Sequence, residues 1–483
     1  MKQKIFFFLF FSIYLFGAAF GQTPPAITIN NNSNPSDGYI FLSNFVLDDD
    51  METDPYLLII DNNGRLVFKR YMNSSINTDF KLQKNGMFTY FSFARSRFYG
   101  MNSNFEVVDS FRAVNGKATN LHELKFLDDG GYILLAIENR IVDMSQIVEG
   151  GRPNAVVVGN VIQKFNAQKE LVFEWNVFDH LNITDATEDI DLTTPVVECF
   201  HCNALDLDYD GNILLSVRYF DEIIKIDVET GDIIWRLGGS KSKNNEFEFL
   251  NDTDENNFTG FSHQHAIRLL PNGNYMLFDN GNLKTPQYSR ALEFSLDQEN
   301  KTFTKVWEYR PSPDVYTSAM GYAQRLENGN TIIGWGENHF TKTVTEVTPD
   351  GEVAFDLSLP FKIYSYRAFR FDVDITSIRD ETNFAEKFRL YQNYPNPFGK
   401  SGAGSGTFTT IKYFVPLKNG ESADVSLKVY DLLGRKIAEL VNGKQTPGEH
   451  QVKFNSKKLP SGIYFYSLRS GKFFSVKKML IIN

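Results

Sequence analysis

Apolar and polar residues alternate along most of this chain, in short runs that stop at clusters of Gly, Asn and Asp and then resume. A period of two reads as strands joined by tight turns. Four stretches repeat one pattern: "HELKFLDDGGYILLA" from His122, "HCNALDLDYDGNILLSV" from His201, "HAIRLLPNGNYMLFD" from His265 and "GYAQRLENGNTIIGWG" from Gly321. Each is a strand, a Gly/Asn/Asp turn and a second strand, which predicts a hairpin. A second hairpin follows each, as in "EIIKIDVETGDIIWRLGG" and "ALEFSLDQENKTFTKVWEYR". Few long windows carry a helical period.

Two hairpins make one four-stranded blade. Six such units are legible, over about 38–72, 80–113, 120–178, 199–237, 263–310 and 321–359. The expected fold class is therefore all-β, a six-bladed β-propeller. An array of β-sandwiches would explain the strands but not the regular two-hairpin unit. If the repeats superpose around an axis, their heads fall in one ring. Three heads are His122, His201 and His265, and imidazole exchanges protons near neutral pH. The repeat thus predicts a polar site on the axis as well as a fold.

The pattern changes after residue 375. Residues 376–389 read as a linker, and 390–483 give short alternating strands that predict a small Ig-like β-sandwich. Charge shifts at the same place: Tyr391 to Asn483 holds 14 Lys+Arg against 5 Asp+Glu, in a chain whose net charge is −10. That asymmetry separates two domains, and the acidic body argues against a nucleic-acid partner. The basic tail lacks a dense Lys/Arg block and reads as a solvated surface. At the other end, residues 1–21 read as a secretory signal, with Lys2 and Lys4 before "IFFFLFFSIYLFGAAF" and a small-residue cleavage site at Ala19-Phe20-Gly21. This apolar stretch is shorter than the roughly 20 residues of a typical span, so cleavage is expected rather than anchoring. The expected layout is signal 1–21, propeller 22–375, linker 376–389 and sandwich 390–483, in an exported protein.

Only two cysteines occur, Cys199 and Cys202, on either side of His201. Two are too few for a disulfide framework or a four-ligand zinc site. A strained local disulfide or two free thiols are expected. "DLDYDGN" lacks the downstream Glu of a calcium loop. Asp48-Asp49-Asp50 reads as a solvated acidic turn, with calcium as the unsupported alternative. No metal site is expected.

The tail resembles the C-terminal sorting domain of the type IX secretion system. Asn393-Tyr394-Pro395-Asn396-Pro397-Phe398, Val429-Tyr430-Asp431 with Gly434, Ser461-Gly462-Ile463-Tyr464 and Lys477-Lys478-Met479-Leu480 carry the likeness. It implies the type IX secretion machinery as a partner, and a secreted or cell-surface destination.

From about His122 to Arg370 the chain resembles the bacterial arylsulfate sulfotransferase family, in its shorter branch. "FHCNALDLDYDGNILLSVRYFDEIIKIDVETGDIIWRLGG" and "SHQHAIRLLPNGNYMLFDNG" carry it. The resemblance implies sulfuryl transfer from a phenolic sulfate donor to a phenolic acceptor, by a ping-pong route through a sulfohistidine. It implies no phosphoadenosine cofactor (PAPS), in keeping with the lack of a phosphate-cradling Gly loop. His201, with Asn203 in "H-x-N", and His265, with Asp279-Asn280-Gly281 behind it, match family histidines. The nucleophile is expected after a Gly-aromatic-Gly turn, which points to His339 behind Gly334-Trp335-Gly336. Weaker forms place it at His265 or His201.

In this reading His201 and His265 hold sulfate and shuttle the proton. Arg290 or Arg218 forks the sulfate oxygens, and Trp335 and Tyr366 stack the phenol. His122 fits the repeat and is expected to line the site. The bland readings are a core or turn role for each of these histidines, and a carboxylate partner for Arg290. His180 and His263 are expected to be structural or surface residues, and His450 belongs to the tail. The rival function is a secreted propeller that captures a sulfated or aromatic ligand, or a surface glycan, without turnover. A quinone- or calcium-dependent propeller enzyme ranks third, because the blades lack a repeated Trp signature.

Overall fold

The computed structural model describes residues 23–47, 54–72, 76–337, 342–373, 375, 389–399, 407–415, 422–432, 434–446, 448–457, 459–471 and 473–482. The signal at 1–21, the Asp48-Asp49-Asp50 turn, His339 and nearly all of the linker at 376–389 lie outside them. The chain is all-β and forms two compact units, Met1–Asp374 and Ile375–Asn483.

The first unit holds six sheets, each built on four antiparallel strands, and three of them carry a fifth strand. Their innermost strands are β1 (Asn77–Leu82), β2 (Ala118–Phe126), β3 (Cys202–Leu207), β4 (His265–Leu269), β5 (Tyr322–Arg325) and β6 (Ala368–Phe371). Each inner strand packs on the next, and β6 packs back on β1, so the six sheets close a ring. Strand alternation explains the packing. One face of every sheet buries aliphatic and aromatic residues against the neighbouring sheet. Leu205, Ile213, Leu215 and Ile224 thus meet Ile133, Leu135 and Ile162 of the preceding sheet. Between the sheets of β6 and β1, the Phe41 ring lies 5.4 Å from that of Phe80. Each such side chain stabilises the fold by roughly 1.5–3 kcal/mol through its removal from water.

Two pairings differ from the hairpin repeat read in the sequence. The unit at about 38–72 supplies only three strands, Tyr39–Ser43, Tyr56–Ile60 and Leu66–Tyr71, and β6 arrives from the far end of the unit to complete its sheet. Thr28–Asn32 pairs with Val353–Ser358 and caps the outer edge of the sheet built on β5. Open sheet edges are liabilities, and both terminal segments close one. Periodicity within a hairpin carries no information about such distant partners.

The second unit has two antiparallel sheets, of three and four strands. They enclose one apolar core that includes Phe398, Ile411, Tyr413, Leu427, Val429, Tyr466, Leu468 and Ile481.

Candidate functional site

The heads of the inner strands meet at one end of the ring. His201 directly precedes β3, His265 opens β4, Met320 precedes β5 and Tyr366 precedes β6. His122 lies within β2, at a bulge between Thr119 and Leu124. The His122 and His201 rings lie 5.1 Å apart, His201 and His265 6.4 Å, and His122 and Tyr366 5.6 Å. The fourth repeat has Gly321 at its head. Its φ is +102°, and a Cβ there would stand 2.3 Å from the Phe278 ring, so the turn requires glycine. His201 and Ala266 also adopt positive φ, +47° and +60°, which stores strain in this end of the ring.

Each histidine has a different partner. Nδ1 of His265 lies 2.7 Å from Oδ1 of Asn280, and Nδ1 of His122 lies 2.5 Å from Oδ1 of Asn120. An amide oxygen only accepts, so both rings carry the proton on Nδ1 and a lone pair on Nε2. In His265 that lone pair accepts the Met320 N–H at 3.2 Å. Burial, then His201 and Arg367, holds His122 well below the usual imidazole range, while burial, then Arg218 and His201, does the same to His265. Both rings are neutral. Nδ1 of His201 instead lies 2.7 Å from the Glu198 carboxylate. A carboxylate on one ring nitrogen stabilises the charge gained when the other takes a proton. Burial alone would raise the Glu198 carboxyl, but His201 and Arg218 hold it below its ordinary value.

Arg218 is the guanidinium among these rings. It is buried, donates to the Ser318 carbonyl at 2.8 Å and covers the Tyr219 ring at 4.7 Å, while its Nε has no partner. Tyr219 in turn stands 5.0 Å from His201 and 5.6 Å from His263. Asn203 donates to the Gln264 carbonyl at 2.7 Å and leaves its own buried Oδ1 unpaired.

Beneath the ring, buried charges cross the axis. Arg367 of the segment entering β6 reaches Asp79 at 3.0 Å, Glu123 at 3.2 Å and the Asn203 carbonyl at 3.1 Å. Arg268 of β4 reaches Glu123 at 2.6 Å, and Lys81 of β1 reaches it at 2.7 Å. Burial alone would raise the Glu123 carboxyl, but Arg268, Arg367 and Lys81 hold it far below the carboxylate range. This layer lies under the histidines, of which His265 is buried while His122 and His201 stay partly exposed.

Several expectations need correction. Arg290 does not face the histidines. Its five N–H donors go to Asp279, Asp252, Glu308 and the Gly260 carbonyl, a carboxylate cage on the sheet of β4. Asp279 is equally occupied. It accepts from the Ser262 and Gly281 amides and from Lys284 and Arg290, and so holds the turn rather than a ligand. Trp335 is fully buried, edge-on to Phe278 at 5.8 Å, with its N–H on Thr345, and cannot stack a substrate ring. His263, expected to be structural or at the surface, is structural. It is buried between Asp221 at 3.2 Å and Asp189 at 3.3 Å. Burial and Arg218 press its pKa down, yet the two carboxylates carry it above the usual imidazole value.

Apart from His339, the other expected residues fall at the ring. Asn280 orients His265, and Arg218, Asn203 and Tyr366 surround the histidines. Asp208 and Asp210 of "DLDYDGN" face Lys225 at 2.5 and 2.6 Å, so an ammonium occupies the position a cation would take. Cys199 and Cys202 are free, buried thiols, and burial pushes Cys199 up to about 12. No group of three metal-ligating side chains occurs among the described residues. Glu198, Tyr219, Asn120 and Met320 were not singled out in the sequence. For Glu198 a signal existed, a carboxylate three residues before His201.

Residues 26–384 match the Arylsulfotransferase (ASST) family, and residues 393–483 match the secretion system C-terminal sorting domain, a mark of type IX export. The chain belongs to the arylsulfotransferase family. A stretch of 164 residues is 27% identical to the arylsulfate sulfotransferase AssT of Escherichia coli O6:H1, covering 28% of this chain and 27% of that protein's length. Among solved structures, a protein of unknown function from Bacteroides caccae is 11% identical with a TM-score of 0.45, covering 69% of this chain and 98% of its own. A catalytically inactive variant of the virginiamycin B lyase of Staphylococcus aureus, solved with quinupristin, is 8% identical with a TM-score of 0.36, covering 68% and 88%.

Proposed function

We propose that this protein is an exported aryl-sulfate sulfotransferase, and that His265 carries the sulfuryl group between a phenolic donor and a phenolic acceptor. The ring of six sheets is read as a six-bladed propeller over residues 22–375, and residues 390–483 as an Ig-like sorting domain. The observation that carries the reading is the grouping of two neutral, amide-oriented imidazoles, one carboxylate-paired imidazole and Arg218 above a layer of buried ion pairs.

In the first half-reaction the Nε2 lone pair of His265 attacks sulfur. An N–S bond forms, the S–O bond to the aryl oxygen breaks, and the phenolate takes a proton from His201, whose charge Glu198 stabilises. The Nε2 lone pair must first turn from the Met320 amide, a long bond at 3.2 Å. Arg218 stabilises the equatorial sulfuryl oxygens, where a guanidinium is most effective in a site with little water. In the second half-reaction the acceptor oxygen attacks sulfur, the N–S bond breaks, and the acceptor proton returns to His201. The chemistry needs neither PAPS nor calcium.

His265 is preferred to His339 because described residues surround it with the whole constellation. Capture of an aromatic sulfate without turnover is the second reading, favoured by the Met320 amide already resting on Nε2 of His265. Incubation with 4-nitrophenyl sulfate separates the two. Nitrophenolate release that depends on an added phenol supports transfer. Saturable binding with no release, across several aryl sulfates, would leave the capture reading.

A further inference from the structure

The ring at the mouth has two unlike halves. The sheets of β2, β3 and β4 contribute His122, His201 and His265, with Arg218 and Glu198 behind them. The sheets of β5, β6 and β1 set apolar side chains beside them, with Glu337 the charged group near Ser318 among the described residues. Met320 precedes β5, Tyr366 precedes β6 and Ile76 precedes β1. With Leu47 and Leu121 they form one apolar cluster over a buried base of Phe45, Tyr364 and Tyr366. The base is rigid: Phe45 and Tyr364 pair through both backbones, and their rings lie 6.3 Å apart. The upper side chains, Leu47, Ile76, Leu121 and Met320, all stay partly exposed.

This cluster abuts the histidines directly. Tyr366 meets His122 edge-to-face at 5.6 Å, Leu121 precedes His122 in the chain, and Met320 gives its amide to His265. The phenol of Tyr366 is turned away, toward the Asn203 carbonyl at 3.5 Å. What stays accessible beside the histidines is the hydrocarbon and sulfur of Leu47, Ile76, Leu121 and Met320.

We infer that Leu47, Ile76, Leu121 and Met320, over Tyr366, form the subsite that holds the aryl ring and set its preference for large uncharged aromatics. The inference rests on the transferase reading and supplies its ring specificity. Charge complementarity selects the occupant. A molecule held at Arg218 and His265 by an anionic group, and extending across the ring, lays its remaining body on this cluster. Hydrocarbon burial there favours an aromatic body and penalises one that carries a charge. Met side chains adapt to aromatic ligands of varied outline.

Calorimetry on the full chain tests this with two probes that cannot react together: 2-naphthol for the apolar half and inorganic sulfate for the polar half. Leu121→Ser and Met320→Ser are each expected to weaken 2-naphthol about tenfold and to change sulfate by less than about twofold. Leu121→Met should restore most of the naphthol affinity, which guards against a folding defect. Equal naphthol affinity in wild type and Leu121→Ser, or no naphthol binding by the wild type, would overturn the assignment. So would equal losses for naphthol and sulfate in both Ser variants. The nitrophenolate assay reads the other question: naphthol bound through this cluster with no turnover removes the transferase and keeps the aryl subsite.

Discussion

His122, His201 and His265 are the same residue type in three electrostatic settings, and the settings assign the roles. Burial keeps His122 and His265 neutral and their amide partners fix the proton on Nδ1, while the Glu198 carboxylate faces Nδ1 of His201. Glu198→Gln keeps a hydrogen-bond partner but removes the charge, so transfer should fall roughly 10²-fold. A loss of the same size with donors of weakly and strongly basic leaving phenolates would assign Glu198 a structural role only. His263 gives a stability prediction with a definite sign. Its folded-state pKa is raised above the ordinary 6.5, so its proton stabilises the fold fully below about pH 6.5, and the contribution fades as pH climbs through the raised value. His263→Gln should lower Tm by a few degrees near pH 6 and by less near pH 9, as read by thermal melts. The head histidines were legible in the sequence because they share a repeat register. Arg290 was misread because proximity to "DNG" along the chain says nothing of the carboxylates that fold around it.

Among elements, the hairpins were the readable part. Strand period and Asn-Gly turns mark them locally, and the copies at His122, His201 and His265 become β2, β3 and β4 with their partners. Pairing between residues more than 300 positions apart leaves no local trace, so β6 as the ring-closing strand and Thr28–Asn32 as an edge strand were missed. Trp335 illustrates the same limit. Its place beside a Gly turn suggested a site, but the turn delivers it into the core between the sheets of β4 and β5. The cage on the sheet of β4 is structural in this account. Arg290→Met leaves Asp252, Asp279 and Glu308 short of a partner, and should destabilise the chain by about 3–5 kcal/mol. Urea titration would show the loss. A variant of normal stability that no longer transfers sulfate would return Arg290 to the site.

At the scale of the molecule, the ring brings the strand heads together above a layer of buried ion pairs, while the second unit carries the export signature. Catalysis should therefore survive removal of residues 375–483, with kcat within about twofold of the full chain, and export should be lost. Loss of turnover in a folded 22–374 chain would show that the tail completes the site. The central claim is that His265 takes the sulfuryl group. Mass spectrometry after incubation with 4-nitrophenyl sulfate, without acceptor, tests it most directly. The account predicts one sulfuryl adduct on the peptide that carries His265, discharged by added phenol and absent in His265→Asn. An adduct on His122, His201 or His339, or turnover that persists in His265→Asn, would contradict it.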